Sequence, residues 1–222
     1  SLRAPTPPLS GSISGILAAT PEARGLFAEL METTPGVVIA GGNGSLQMMY
    51  DVLQGAVVFG VPGGDGPWRD AKFLCPVPGY DRHFAICERL GIGMIPVEMN
   101  DDGPDMDAVE ALVAADASIK GIWCVPKYSN PTGAVYSDAV VDRLAAMKCA
   151  APDFRIMWDN AYVVHHLTGE IASVKNIQKA AAVAGNPDRI LTFVSTSKIS
   201  LAGAGVAAMA ASKVHVADAL ER

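Results

Sequence analysis

A lysine, Lys198, stands between two apolar runs in "ILTFVSTSKISLAGAGVAAMAAS", surrounded by Ser, Thr, Ala and Gly. Lysine is among the residues least often buried, so at such a position it either reaches out to water or does chemistry. The chemistry it performs best is nucleophilic: its amine condenses with an aldehyde to give a Schiff base. Other reactive residues recur at comparable places, each at or just after an apolar run. They are Gly44 and Ser45 in "GGNGSL", Tyr80 in "PGYDRH", Asn130 in "KYSNPTG", Asp159 and Tyr162 in "WDNAY", and Ser195 and Ser197 beside the lysine. Taken singly, each has an ordinary structural reading: a tight glycine turn, a packing tyrosine, an Asn-Pro-Thr-Gly β-turn, a capping aspartate, a snorkelling lysine.

One ligand uses all of them together. The Gly44, Ser45 and Leu46 turn opens a helix and presents backbone N–H groups and a hydroxyl, which suits an anion. Ser195 and Ser197 add two hydroxyls. A carboxylate in an apolar strand, Asp159, favours the protonated form of a ring nitrogen by charge pairing. Asn130 and Tyr162 can hydrogen-bond a phenolic oxygen, and Tyr80 can cover one face of a flat ring. An aldehyde, a pyridine nitrogen, a phenolic oxygen and a phosphate on one ring describe pyridoxal 5'-phosphate.

These residues need a scaffold that delivers them to one edge. Seven short apolar runs, near 36, 72, 93, 120, 154, 190 and 205, alternate for the most part with segments of helical period such as "SLQMMYDVLQG", "DRHFAICERLG" and "SDAVVDRLAAMKCAA". That alternation predicts an α/β fold, a three-layer αβα arrangement around a mostly parallel seven-stranded sheet. The last connection is too short for a helical crossover, so one strand is expected to be antiparallel. In an open sheet of this kind ligands bind at the carboxyl ends of the strands, where the reactive residues fall. Residues 1–35 read as a Pro/Ser-rich arm and one helix that Thr20 caps, and 36–222 as the large cofactor-binding domain. "KVHVADALER" reads as a helix beginning and then cut off.

Composition narrows the classes. The 222 residues are half hydrophobic, enough for a sizeable core, and 17 basic against 23 acidic residues give a net charge of -6, with no basic footprint for nucleic acid. Cys75, Cys87, Cys124 and Cys149 lack CxxC spacing, so neither metal nor disulfide chemistry is expected. With no run long enough to span a membrane and no signal-like N-terminus, the expectation is a soluble cytoplasmic protein. His165 and His166 follow "DNAYVV" and are expected to be structural hydrogen-bonders, and Trp123 and Trp158 to be core.

"NPTG", "DNAY" and "STSK" in this order resemble the aspartate aminotransferase superfamily of fold type I pyridoxal-phosphate enzymes, from Gly41 to about Ser212. The wording "AGGNGSLQMMYD", "PVPGYDRHF" and "STSKISLAGAG" is similar to a bacterial branch of MocR-like or aspartate-type aminotransferases. The resemblance implies that Lys198 forms the Schiff base and acts as the proton carrier, that Asp159 pairs with the ring nitrogen, and that Asn130 and Tyr162 bind the phenolic oxygen. It also implies stacking by Tyr80 and phosphate binding by Gly44, Ser45, Leu46, Ser195 and Ser197. The implied activity moves an amino group between an amino acid, with aspartate or glutamate as the guess, and a 2-oxo acid, in a homodimer. Two departures stand out. Many relatives carry a phosphate-binding arginine about eight residues after the lysine, and "KISLAGAGVAA" has none; relatives are also about twice this length, with a substrate-binding arginine in a small C-terminal domain. A lyase or decarboxylase on the same scaffold, or a non-catalytic sensor, are the alternatives. A nucleotide-binding domain fits poorly, because no G-x-G-x-x-G opens a helix.

Overall fold

The computed structural model describes residues 19–166, 169–200 and 205–221. All seven apolar runs become strands: β1 (Val38–Gly41), β2 (Lys72–Val77), β3 (Gly93–Asn100), β5 (Ile119–Cys124), β6 (Arg155–Asp159), β7 (Ile190–Ser195) and β8 (Ala207–Ala210). The expected seven-stranded sheet gains an eighth member, β4 (Gly103–Pro104), which folds back antiparallel on the end of β3 and pairs Gly103 with Asn100. Two residues are too few to leave a periodic pattern. The order across the sheet is β1-β8-β7-β6-β5-β2-β3-β4. The β2, β3, β5, β6 and β7 strands run parallel, and β8 runs antiparallel to both β7 and β1, as its short connection requires.

Helices cover both faces. On one lie α1 (Pro21–Leu30), α4 (Met106–Ala115), α5 (Asp138–Ala146) and α6 (Ile177–Val183); on the other lie α2 (Ser45–Phe59), α3 (Asp81–Leu90) and α7 (Lys213–Glu221). Their starts follow local chemistry. Thr20, Asp105, Ser137 and Asn176 each accept a backbone N–H in the first turn of α1, α4, α5 and α6. Residues 1–18, most of the Pro/Ser-rich arm, lie outside the described residues, while α1 packs Phe27, Ala28 and Met31 against β1 and β8. Helix α6, short and alanine-rich, has no strong apolar period and was not among the expected helices. No helix among the described residues is long and apolar enough to cross a membrane. Cys75, Cys87 and Cys124 are buried free thiols and Cys149 is half-buried.

Packing under α2 and α3 centres on Phe73, whose ring lies 5.9 Å from Trp68 and 5.7 Å from Trp123. The facing residue on β5 is Gly121, where a Cβ would overlap the Phe73 ring. At the amino-terminal edge of the sheet, away from the reactive residues, two buried polar groups are fully used. Asp153 accepts from Trp68 Nε1 at 2.8 Å and from Lys120 Nζ at 2.6 Å. Arg155 Nε donates to His215 Nε2 at 2.8 Å, and its NH2 donates to the Pro62 carbonyl, tying α7 and the loop after α2 to β6. Burial first, and then the Arg155 charge, lower His215 to about 4.

Two stability predictions follow from this packing. Gly121→Ala should lower unfolding free energy by about 1–3 kcal/mol, read from the urea midpoint, because the aromatic stack has no slack. In the unfolded chain His215 titrates near pH 6.5, whereas in the folded chain it stays neutral down to about 4. The unfolded state therefore binds the extra proton in that window, and the stability from this group, full above about 6.5, is lost as pH falls toward 4. His215→Gln, which keeps an acceptor for Arg155, should flatten that part of the stability-pH curve.

Candidate active site

The last residue of β6, Asp159, shares its side of the sheet with Met157 and with Phe193, its partner on β7, and so faces α2 and α3. It is 4% exposed. His83 Nε2, from α3, donates to Asp159 Oδ2 at 3.0 Å, and the His83 ring stacks on Trp123 with centroids 4.3 Å apart and planes 7° from parallel. Strand and helix thus clamp the histidine, and the histidine aims the carboxylate. The other oxygen, Asp159 Oδ1, is buried with no hydrogen-bond partner among the described residues. A buried carboxylate oxygen without a donor is unfavourable and rare, and this one defines where a donor belongs.

The lysine comes from the turn after β7. Ile199 and Ser200 N–H donate to the Thr196 carbonyl at 2.9 Å, and Val206 N–H donates to Thr196 Oγ1 at 2.9 Å. Lys198 is an exposed residue, yet its amine turns back: Nζ donates to Tyr162 Oη at 2.8 Å and lies 4.0 Å from the centre of that ring. Tyr80, at the start of α3, has its ring centre 6.0 Å from the same amine and sits edge-on to His83 at 5.1 Å. Lys198, Tyr162, Tyr80, His83 and Asp159 therefore form one continuous group. Two of these connections run through aromatic rings, which suit a flat ligand.

The glycine turn after β1 lies beside it. Gly44 caps α2 without a side-chain hydrogen bond, so the leading N–H groups of a 15-residue helix receive no side-chain cap from it. Gly42 adopts φ 66°, and a Cβ at Gly41, Gly42 or Gly44 would meet no atom within 4 Å, so this is an open cradle. Ser45 is the first residue of α2, with Leu46 next, and Ser195 is buried at the end of β7. Ser197 Oγ donates to the Asn43 carbonyl at 2.8 Å and ties the cradle to the lysine turn. Gly205 makes room for this, since a Cβ there would stand 2.7 Å from Ser197 Oγ. Gly203, in the same glycine-rich stretch, lies outside the described residues. Position 206, eight after the lysine, is Val206.

Asn130 stands in a turn closed by the Ser129 N–H donating to the Ala134 carbonyl at 2.9 Å, with Gly133 at φ 79°. Among the described residues no hydrogen bond joins it to Asp159, Tyr162 or Lys198. Two participants escaped the sequence reading. His83 follows Tyr80 by three residues, which places both on one side of a helix start, and that spacing was the available signal. Trp123, expected as core, is also the plate under His83. His165, expected as a structural hydrogen-bonder, is one here: Nε2 donates to the Lys198 carbonyl at 2.8 Å, and the ring sits edge-on to Tyr162. Together these residues offer an amine for a carbonyl, a carboxylate oxygen for a ring N–H, and a helix start for an anion, so they fit pyridoxal phosphate.

Comparison with known proteins agrees. Residues 11–221 match the family described as Aspartate amino-transferase. An aspartate aminotransferase of Corynebacterium glutamicum is 50% identical over 88% of this chain and 45% of its own length. A provisionally named aminotransferase of Mycolicibacterium smegmatis is 52% identical over 93% of this chain and 48% of its own. The crystal structure of an aspartate transaminase from C. glutamicum superposes with a TM-score of 0.84 at 49% identity, covering 88% of this chain and 48% of that one. The chain thus spans about half the length of the curated relatives it matches. With a matching family over nearly all of its residues and relatives at half identity, the chain belongs to the aspartate aminotransferase family.

Proposed function

We propose that this chain is the cofactor-binding part of a pyridoxal-phosphate-dependent aminotransferase that moves an amino group between an amino acid and a 2-oxo acid. The observation that carries this reading is the buried, unpartnered Asp159 Oδ1, held by His83 at one end of a group that has the Lys198 amine at the other. Lys198 would be the covalent attachment point and Asp159 the partner of the ring N–H. Asn130 and Tyr162 would hold the phenolic oxygen and Tyr80 would cover a ring face. Gly44, Ser45, Leu46, Ser195 and Ser197 would hold the phosphate through amides and hydroxyls, with the α2 dipole supplying the favourable potential that an arginine gives elsewhere. Bound there, the cofactor supplies an electron sink for the pair left behind when the substrate Cα proton departs.

The protein's own part is to orient the groups and move a proton. The His83 donor keeps the Asp159 carboxylate pointed, and charge pairing with that carboxylate would favour the protonated form of a ring nitrogen placed beside it. Tyr162 Oη accepts from Lys198 Nζ, which keeps a flexible four-carbon side chain within reach of the reacting carbon. With its amine free, Lys198 Nζ would take the substrate Cα proton as a general base and, as a general acid, deliver it to the carbon two bonds away, across the nitrogen. His165, by holding the Lys198 carbonyl, fixes the backbone from which that amine swings. The name of the C. glutamicum relative supports aspartate as one amino donor. Residues 36–222 would be the large domain of a cytoplasmic homodimer.

The full-length protein incubated with pyridoxal phosphate and then borohydride should carry a reduced phosphopyridoxyl group on Lys198, located by mass spectrometry. Lys198→Ala should show none. Failure of the full-length protein to take up the cofactor would sink the enzyme reading, while ammonia release from an amino acid without a 2-oxo acid acceptor would move it to a lyase. Removing a hydrogen bond to a charged group costs about 1.5–3 kcal/mol, so His83→Phe should weaken cofactor retention by roughly 10- to 150-fold in equilibrium dialysis. Asp159→Ala should weaken it at least as much.

A further inference from the structure

Successive residues of a strand face opposite sides, so the carboxyl edge of the sheet that presents Asp159 on one face presents Trp158 and its β7 partner Thr192 on the other. There a cavity of about 250 Å³ lies between α1, the ends of β5 and β6, and the approach to α6. It is several times the roughly 30 Å³ share of one water molecule, yet below the usual range of about 300–1,000 Å³ for drug-sized ligands. Its volume suits a ligand of a few heavy atoms.

Two buried polar groups line it. Thr192 is 4% exposed, and its Oγ1 has no hydrogen-bond partner among the described residues. Lys127, 8% exposed, follows β5; Nζ donates to the Val163 carbonyl at 3.0 Å and has no carboxylate within ion-pairing distance among the described residues. Burial lowers the lysine's pKa, and the Glu32 charge works against that effect. An ammonium and a hydroxyl with unused capacity in one cavity call for an acceptor, and a carboxylate is the acceptor that also compensates the charge. Glu32 is exposed and also lines the cavity, and its carbonyl accepts from Asn176 Nδ2 at 3.2 Å, which ties α1 to the start of α6. The neighbouring Lys175 is already paired with Asp142 at 2.7 Å. The His166 ring is held by Tyr128 Oη through Nδ1 at 3.2 Å. The cavity thus has a buried positive interior and an exposed negative group.

We propose that this cavity binds a small zwitterion with the chemistry of a free α-amino acid, its carboxylate on Lys127 and Thr192 and its ammonium toward Glu32. The site uses neither Lys198 nor Asp159 and stands whether or not the cofactor reading holds. It is tested by calorimetric titration of the full-length protein with L-alanine and with propionate, the same carboxylate without the amine. Borohydride-treated protein serves as a parallel background, because reduction leaves no aldehyde at the first site to condense with an amine. In that background alanine should still bind, and propionate more weakly. Lys127→Met should lower alanine affinity by about tenfold or more, and Thr192→Val by about threefold to tenfold. Glu32→Gln should bring alanine down to the level of propionate and leave propionate unchanged. Both interior changes replace a buried polar group with an apolar one of similar size, and circular dichroism of each verifies the fold; either variant alone suffices as the test. No alanine binding in the borohydride-treated background, or binding undiminished by Lys127→Met or by Thr192→Val, would overturn the site. Equal binding of propionate and alanine would overturn its zwitterionic character.

Discussion

The arrangement of the site rests on one buried pair, His83 and Asp159. A carboxylate at the end of an apolar strand is stable only with a donor, and the donor here comes from a helix that begins 78 residues earlier in the chain. The histidine is itself fixed by stacking on Trp123, whose indole Nε1 donates to Cys87 on the same helix at 3.3 Å. β5, β6 and α3 are thus locked to one another at the point where they deliver Tyr80 and Asp159. With Oδ2 used by His83, only Oδ1 is left to receive a ligand. A catalytic group is most effective when its orientation is set before the ligand arrives, and this pair sets it.

Glycine and small residues do complementary work on the lysine side. Four alanines and a methionine, Ala207 to Ala211, fill β8 and the residue after it and let that strand lie between β1 and β7. That brings the glycine turn after β1 beside the lysine turn after β7, where Ser197 joins them through Asn43. The same thinness at Gly205 lets Ser197 come close. The opening contrast of a lysine among Ser, Thr, Ala and Gly has a physical answer: two loops and a helix start converge there, and bulkier residues would hold them apart.

The pleat of β6 and β7 divides the polar resources of this edge between two faces. Asp159 and Phe193 belong to the α2–α3 side, Trp158 and Thr192 to the α1–α6 side. Two candidate sites at one sheet edge are therefore a direct consequence of period-two geometry, and a one-residue slip in register would exchange the residues that face them.

Much of this was legible in the linear chain. The seven apolar runs appear as strands because β-branched and apolar runs have few other ways to bury both faces, and the order of Asn130, Asp159 and Lys198 follows from each residue ending an element. The helix cap at Thr20 is local and therefore readable. What a one-dimensional pattern does not carry is the long-range partner. His83 on Asp159, Trp123 beneath His83, His165 on the Lys198 carbonyl and the unspent Thr192 hydroxyl are contacts across 33 to 76 residues or the lack of one, and no periodicity encodes them. β4 and α6 were missed because two residues, or seven mostly small ones, leave too weak a pattern. The sequence by itself determined which residues are reactive and which strand each follows, because composition and period are local properties; the tertiary structure decided which of them meet, because that depends on strand order and on which side of the pleat each side chain falls.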